Sequence, residues 1–78
     1  MALAQVETLV EANGEALRRE RERRGYSLRE LAELSGVTQD NIWKIEHGKT
    51  RRPHGRTLRK LAEALGVEVW ELQRESTD

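Results

Sequence analysis

Four glycines divide this chain into helix-length segments: Gly25, Gly36, Gly48 and Gly66. Each follows a helical pattern of apolar or charged residues, at the position where glycine commonly ends a helix. No segment alternates between apolar and polar residues for long enough to indicate a sheet. A chain of 78 residues forms one domain at most. The sequence therefore predicts an all-α fold, a compact five-helix bundle.

The expected domain spans residues 13–74, between an N-terminal extension at 1–12 and a C-terminal tail at 75–78. The extension has four apolar residues at helical spacing, Leu3, Val6, Leu9 and Val10. It is therefore either an additional short helix or an arm that orders only in a dimer. Residues 68–74 are predicted to form the short fifth helix, with Trp70 in the core.

The composition narrows the range of functions. The chain has no cysteine, which excludes disulfides and thiolate metal sites and is compatible with a reducing cytoplasm. No apolar run approaches the ~20 residues that span a bilayer, and the N-terminus lacks the basic region of a signal peptide. The histidines, His47 and His54, have no other ligands at metal spacing. We therefore expect no metal, no cofactor, no membrane partner and no catalytic site.

Charge is balanced overall but unevenly distributed. Fourteen basic and fourteen acidic residues give zero net charge, which argues against non-specific polyanion binding. Residues 44–60 nevertheless carry seven cations against the single acid Glu46: Lys44, Lys49, Arg51, Arg52, Arg56, Arg59 and Lys60. For one charge, a solvated surface is the simpler interpretation. The run as a whole favours contact with a phosphate backbone, and His54 is a further candidate within it.

Two predicted helices are joined by a short turn, Ser35-Gly36-Val37. The first opens at Ser27, which stands in a capping-box relation to Glu30. The second runs from Thr38, its cap, to His47. Glycine in so short a connection permits a wide crossing angle between the helices. Helix 38–47 is therefore the candidate to enter the DNA major groove.

The outward face of helix 38–47 follows from ~100° per residue. With Ile42 and Ile45 inward, the outward residues are Gln39, Asp40, Trp43, Lys44 and His47. Gln39 can pair bidentately with adenine and Lys44 can donate to guanine, whereas Asp40 either accepts from cytosine or weakens binding. Trp43 either contacts a thymine methyl, a sugar or a protein partner, or lies flat on the helix surface.

Residues 28–49 resemble the phage-repressor and Cro-like helix-turn-helix regulators of the xenobiotic-response-element type. The shared pattern is Leu-Ala at 31–32, Gly-Val-Thr at 36–38 and Ile-x-x-Ile-Glu-x-Gly at 42–48. The likeness extends over about residues 14–72. It implies a lambda-repressor-like DNA-binding fold.

The resemblance also implies residue roles. Gln39, Asp40 and Lys44 match base-reading positions, and Thr38 matches a contact to phosphate or base. The segment after helix 38–47 is similar to a backbone-gripping loop, here Lys49, Arg51, Arg52 and Arg56. Arg21 and Glu46 match a family ion pair.

Two residues depart from the family pattern. Leu28 stands where a phosphate-contacting glutamine is common, which removes that contact. Glu20 stands where an apolar residue is common, so the first helix either packs less tightly or faces a partner.

We expect a sequence-specific transcriptional regulator, a repressor of prokaryotic or phage type, acting in the cytoplasm and at the nucleoid when bound. A single module makes few base contacts, so a homodimer on a near-palindromic operator in double-stranded DNA is expected. The alternative is an antitoxin-like or adaptor module that uses the same fold to bind protein.

Overall fold

The computed structural model describes residues 8–77 of the chain. Four α-helices form the body, and a short strand from each end pairs with the other in an antiparallel sheet. In chain order the elements are β1 (Thr8–Ala12), α1 (Gly14–Arg23), α2 (Leu28–Ser35), α3 (Gln39–Glu46), α4 (Gly55–Leu65), a 3-10 turn (Val69–Leu72) and β2 (Gln73–Thr77). None of the described helices is long and apolar enough to cross a membrane.

The core lies between the four helices and the 3-10 turn. Each of these elements contributes at least one side chain that is almost completely buried: Leu17, Leu31, Ile42, Ile45, Leu61, Leu65 and Leu72. The inward positions of Ile42 and Ile45 on α3 were predicted from helical periodicity, and the structure confirms them. These two residues fix which face of α3 is left outside.

Three of the helices begin at a side-chain cap, and the caps predicted at Ser27 and Thr38 are confirmed. The Asn13 side chain accepts from the backbone N–H of Ala16 at 3.0 Å. Ser27 and Glu30 form both hydrogen bonds of the capping box. Thr38 accepts from the N–H of Asn41 at 3.2 Å. Each bond satisfies a backbone donor that the helix cannot satisfy itself.

The prediction of five α-helices is wrong, because the segment predicted as the fifth helix forms a 3-10 turn followed by β2. Trp70, predicted in the core, is 70% exposed, whereas Leu72 is fully buried. With about three residues per turn, Val69 and Leu72 fall on the same side, against the core, and Trp70 falls outside it.

The expectation that no sheet is present is also wrong, and so is a helix in the described part of the extension. Residues 8–12 form β1, whose partner in register is β2, with Glu11 opposite Arg74 and Ala12 opposite Gln73. Leu3 and Val6 lie outside the described residues. Cross-strand pairing satisfies the backbone groups of each strand that face its partner, and Ala12 joins the core. We call this pair of strands the terminal ribbon.

Candidate nucleic-acid interface

The α2–turn–α3 unit presents one face of α3 to solvent. Gly36 ends α2 in the left-handed region, at φ 78°, which lets the chain turn sharply. The next residue, Val37, is buried and anchors the turn to the core. Thr38 then begins α3.

Close approach to α1 holds the other end of α3. A Cβ atom added to Gly14, at the start of α1, would collide with the backbone carbonyls of Ile45 and Glu46. The absence of a side chain at Gly14 thus lets the beginning of α1 lie directly against the last turn of α3.

The exposed surface of α3 brings together the side chains singled out in the sequence. We call this surface the α3 ridge; it consists of Thr38, Gln39, Asp40, Trp43, Lys44 and His47, all exposed. Trp43 is 40% exposed, so it is not a core residue. The ridge carries hydrogen-bond donors and acceptors, the groups that can pair with base edges, together with an aromatic ring on the same face.

Two contacts within the ridge were not predicted. Lys44 Nζ lies 3.1 Å from Asp40 Oδ2, and both side chains are exposed. The Trp43 ring stacks on His47 with centroids 4.0 Å apart and planes 17° apart, and His47 Nδ1 lies 2.9 Å from the Trp43 carbonyl. Both pairs are four residues apart, so helical spacing was the signal that could have found them.

A largely buried ion pair joins α1 to the end of α3. Arg21 Nε and Nη2 donate to the two Glu46 carboxylate oxygens at 2.7 and 3.1 Å, and Nη1 donates to the Tyr26 carbonyl at 2.8 Å. The side chains are 12% and 1% exposed. The hydrogen bond with Glu46 raises the pKa of the Arg21 guanidinium, so this cation stays charged.

The basic segment after α3 is anchored through its backbone. The N–H groups of Lys49 and Thr50 both donate to the Lys44 carbonyl, at 2.8 and 3.1 Å. The carbonyl of Arg51 accepts from the N–H of Ala12 in β1 at 2.8 Å. These bonds fix the segment beside the α3 ridge. The predicted phosphate contacts are all exposed there: Lys49, Arg51, Arg52, His54 and Arg56.

Arg56 lies in the first turn of α4 and not in the loop that the family resemblance implied, because α4 begins at Gly55. It lines a groove between the start of α3 and the start of α4, together with Thr38, Asn41 and Lys60. Asn41 was not singled out in the sequence, since the groove depends on how α4 packs against α3.

Glu11 is a second residue that sequence reasoning missed. It is 4% exposed, and its carboxylate lies 3.6 Å from Arg52 Nη2 and 3.8 Å from Arg74 Nε. An isolated glutamate in a terminal segment carries no signal for this position, because the contacts depend on the pairing of distant strands.

The two departures from the family pattern have distinct surroundings. Leu28 packs against the core and lines a shallow groove with Gln39, Asp40 and Trp43. Glu20 is buried and pairs within its own helix, with Arg23 at 3.3 Å and Arg24 at 2.8 Å. The hydrogen bond from Arg24 lowers the pKa of the Glu20 carboxyl.

Sequence comparison relates the chain to known regulators. A family model described as a helix-turn-helix domain matches residues 14–74. The HTH-type transcriptional repressor RghR of Bacillus subtilis is 45% identical over 58 residues, which cover 74% of this chain and 43% of RghR. The HTH-type transcriptional regulator SlrR of the same species is 41% identical over 59 residues, or 39% of its length. The chain thus spans less than half the length of these two curated relatives.

Solved structures show the same arrangement. SinR, a master regulator of biofilm formation crystallised with DNA, superposes with a TM-score of 0.72 at 36% identity, over 76% of this chain and 97% of that one. The restriction-modification controller protein C.AhdI of Aeromonas hydrophila superposes with a TM-score of 0.70 at 37% identity, over 76% of this chain and 88% of that one. The structure of SinR in complex with the SinI protein superposes with a TM-score of 0.74 at 35% identity, over 77% of this chain and 58% of that one. By the family match and the fold, the chain belongs to the helix-turn-helix domain family.

Proposed function

We propose that this protein is a sequence-specific DNA-binding transcriptional regulator, a repressor, that inserts α3 into the major groove of its operator. The observation that carries the proposal is the α3 ridge, which Ile42 and Ile45 hold outward from the core beside an exposed basic segment. The relatives support it, since RghR is named a repressor and SinR is solved with DNA.

The ridge supplies the base contacts. Gln39 pairs with the N6 and N7 edge of adenine, and Lys44 donates to O6 and N7 of guanine. Asp40, which holds Lys44 at 3.1 Å in the free protein, accepts from cytosine N4. Trp43 offers an apolar surface to a thymine methyl, and Thr38 contacts a phosphate or base at the start of α3.

The basic segment supplies affinity without sequence preference. Lys49, Arg51, Arg52, His54 and Arg56 are placed to contact phosphates on either side of the groove. Cations that replace condensed counterions make the binding constant fall as salt rises. A single domain of this size reads few bases, so the protein acts as a homodimer on a near-palindromic site in double-stranded DNA. We place this activity in the prokaryotic cytoplasm, at the nucleoid.

Selection from a random duplex pool, followed by titration of the selected duplex, tests the proposal. The account predicts a selected site bound far more tightly than random duplex at moderate salt. Random duplex should bind measurably near ~50 mM salt and lose affinity steeply towards ~200 mM. No selected sequence, together with no binding to random duplex near ~50 mM salt, would contradict it.

A protein-binding adaptor is the second candidate function. Trp70 is 70% exposed, as an interface anchor is before its partner binds. SinR is also solved in complex with a protein, SinI. The same titration separates the candidates, because an adaptor requires no DNA binding and no salt-dependent affinity for duplex.

A further inference from the structure

We propose that Glu11 withholds Arg52 from the DNA backbone, so that the terminal ribbon lowers the affinity of the basic segment for phosphate. This inference rests on the proposed DNA-binding function and adds a residue to it that lies outside the helix-turn-helix unit. We call the Glu11–Arg52 contact the ribbon latch.

The position of Glu11 is the first observation. Its side chain is only 5% exposed, and its two carboxylate oxygens each face an arginine, Arg52 Nη2 at 3.6 Å and Arg74 Nε at 3.8 Å. A carboxylate removed from water to this extent is stable only next to cations or hydrogen-bond donors. Glu11 therefore holds both guanidinium groups close to the ribbon.

The pairing of the two strands supports this arrangement. Glu11 and Arg74 are directly opposite each other in the β1–β2 register, so their side chains lie on the same face of the ribbon. At the next residue, the Ala12 N–H donates to the Arg51 carbonyl at 2.8 Å, and the Asn13 N–H donates to the Leu72 carbonyl at 2.8 Å. The ribbon thus fixes the backbone at Arg51 as well as the side chain of Arg52.

The charges explain the expected effect on DNA binding. Arg52 is 55% exposed, so a phosphate can reach its guanidinium, but only in competition with the Glu11 carboxylate. Arg56, by contrast, lies on α4 and lines the groove with Thr38 and Asn41. A phosphate can therefore interact with the whole positive charge of Arg56, but with only part of the positive charge of Arg52. Removing the carboxylate charge at Glu11 should therefore make the Arg52 guanidinium more available to the phosphate backbone.

The experiment compares Glu11→Gln with Glu75→Gln on a duplex of random sequence. Both changes remove one negative charge from the ribbon, but Glu75 is exposed and lies opposite Val10, away from the latch. Binding of each variant is measured across ~50–200 mM salt. The latch predicts that Glu11→Gln steepens the slope of log K against log salt, by up to about 0.9, the value of one complete phosphate contact. Glu75→Gln should leave the slope unchanged.

The second variant pair removes the cations. In the native chain, Arg52→Gln should flatten the slope by less than half as much as Arg56→Gln. In the Glu11→Gln background, the loss from Arg52→Gln should rise towards that from Arg56→Gln. This comparison keeps the test decisive if Glu11→Gln does not fold, because the first half uses only the intact ribbon.

The outcomes separate this inference from the proposed function. If the native chain does not bind duplex at low salt, the proposed function fails. If the native chain binds with a clear salt dependence, but Glu11→Gln matches Glu75→Gln or binds more weakly, the latch alone is overturned. Equal losses from Arg52→Gln and Arg56→Gln in the native chain overturn it as well.

Discussion

Single residues on α1 determine where α3 sits. Arg21 connects α1 to the last turn of α3 through its ion pair with Glu46. Gly14 lets the start of α1 approach the α3 backbone so closely that a Cβ atom would not fit between them. The Arg21 side chain is only 12% exposed, and Gly14 has no side chain. Both nevertheless set the direction in which the α3 ridge points, and each can be tested by a substitution with a matched control.

Glu46→Gln should destabilise the fold by about 3 kcal/mol, because it leaves the Arg21 guanidinium largely buried without its counter-charge. The control is Glu22→Gln, which breaks the exposed pair with Arg18, where the side chains are 54% and 58% exposed. That change should lower the free energy of unfolding by at most about 0.5 kcal/mol. Urea unfolding measures both. Equal effects would show that the Arg21–Glu46 pair does not hold the helices together.

Gly14→Ala should destabilise by about 2 kcal/mol, because the new methyl group meets backbone carbonyls that cannot move aside as a flexible side chain can. Gly55→Ala is the matched control, since Gly55 is also the first residue of a helix and has open space around its Cβ position. There alanine should stabilise by about 0.5 kcal/mol. A thermal melt in which both changes stabilise the protein would contradict the close approach.

At the scale of elements, helix α1 stabilises itself through ion pairs on its own surface. Glu20, buried at a position where an apolar residue was expected, is neutralised by Arg23 and Arg24 one turn away. The helix therefore keeps a carboxylate against the body of the domain without requiring a partner protein to cover it.

This pairing predicts a pH dependence. The hydrogen bond from Arg24 lowers the pKa of Glu20 in the folded state, so the carboxylate stabilises the fold above its unfolded pKa. That contribution is lost as the pH falls through the folded pKa. The native chain should therefore be more stable than Glu20→Gln at about pH 7, and the difference should diminish as the pH falls through the folded-state pKa of Glu20. Urea unfolding of both proteins across this range tests it; a difference that persists in acid would assign the effect to packing.

Elements differ in how far sequence reasoning could predict them. Helix starts at Ser27 and Thr38 were predictable, because a cap and its donor lie within three residues of each other. The terminal ribbon was not, because β1 and β2 are short and pair across almost the whole chain. The exposed position of Trp70 follows from the 3-10 turn that leads into β2, so it was missed for the same reason.

In the candidate site, too, features set by local sequence were predictable and features set by tertiary packing were not. Periodicity within α3 was enough to place Gln39 and Lys44 outward, whereas the Glu11–Arg52 contact and the groove at Asn41 depend on tertiary packing.

At the scale of the whole molecule, the proposed homodimer fixes the geometry of the operator. Two copies of α3 in successive major grooves on one side of DNA lie about 34–36 Å apart. Inserting about 5 base pairs between the half-sites turns one of them to the opposite side of the duplex, and should reduce affinity to that of a single half-site. Inserting about 10 should restore much of it. Gel-shift titrations of the three duplexes measure this; insensitivity to spacing would indicate a monomer.

The central claim is that the α3 ridge contacts base edges and sets sequence preference, while the basic segment contacts phosphates. The most direct test measures the affinity ratio between the selected operator and random duplex for the native chain, for Gln39→Ala/Lys44→Ala and for Arg51→Gln. The ridge variant should lose most of that ratio, at about 1–3 kcal/mol per base contact, with little loss on random duplex beyond that of one cation. Arg51→Gln should weaken binding to both duplexes by the same factor and leave the affinity ratio unchanged. Loss of affinity on both duplexes in equal proportion for the ridge variant would contradict the account.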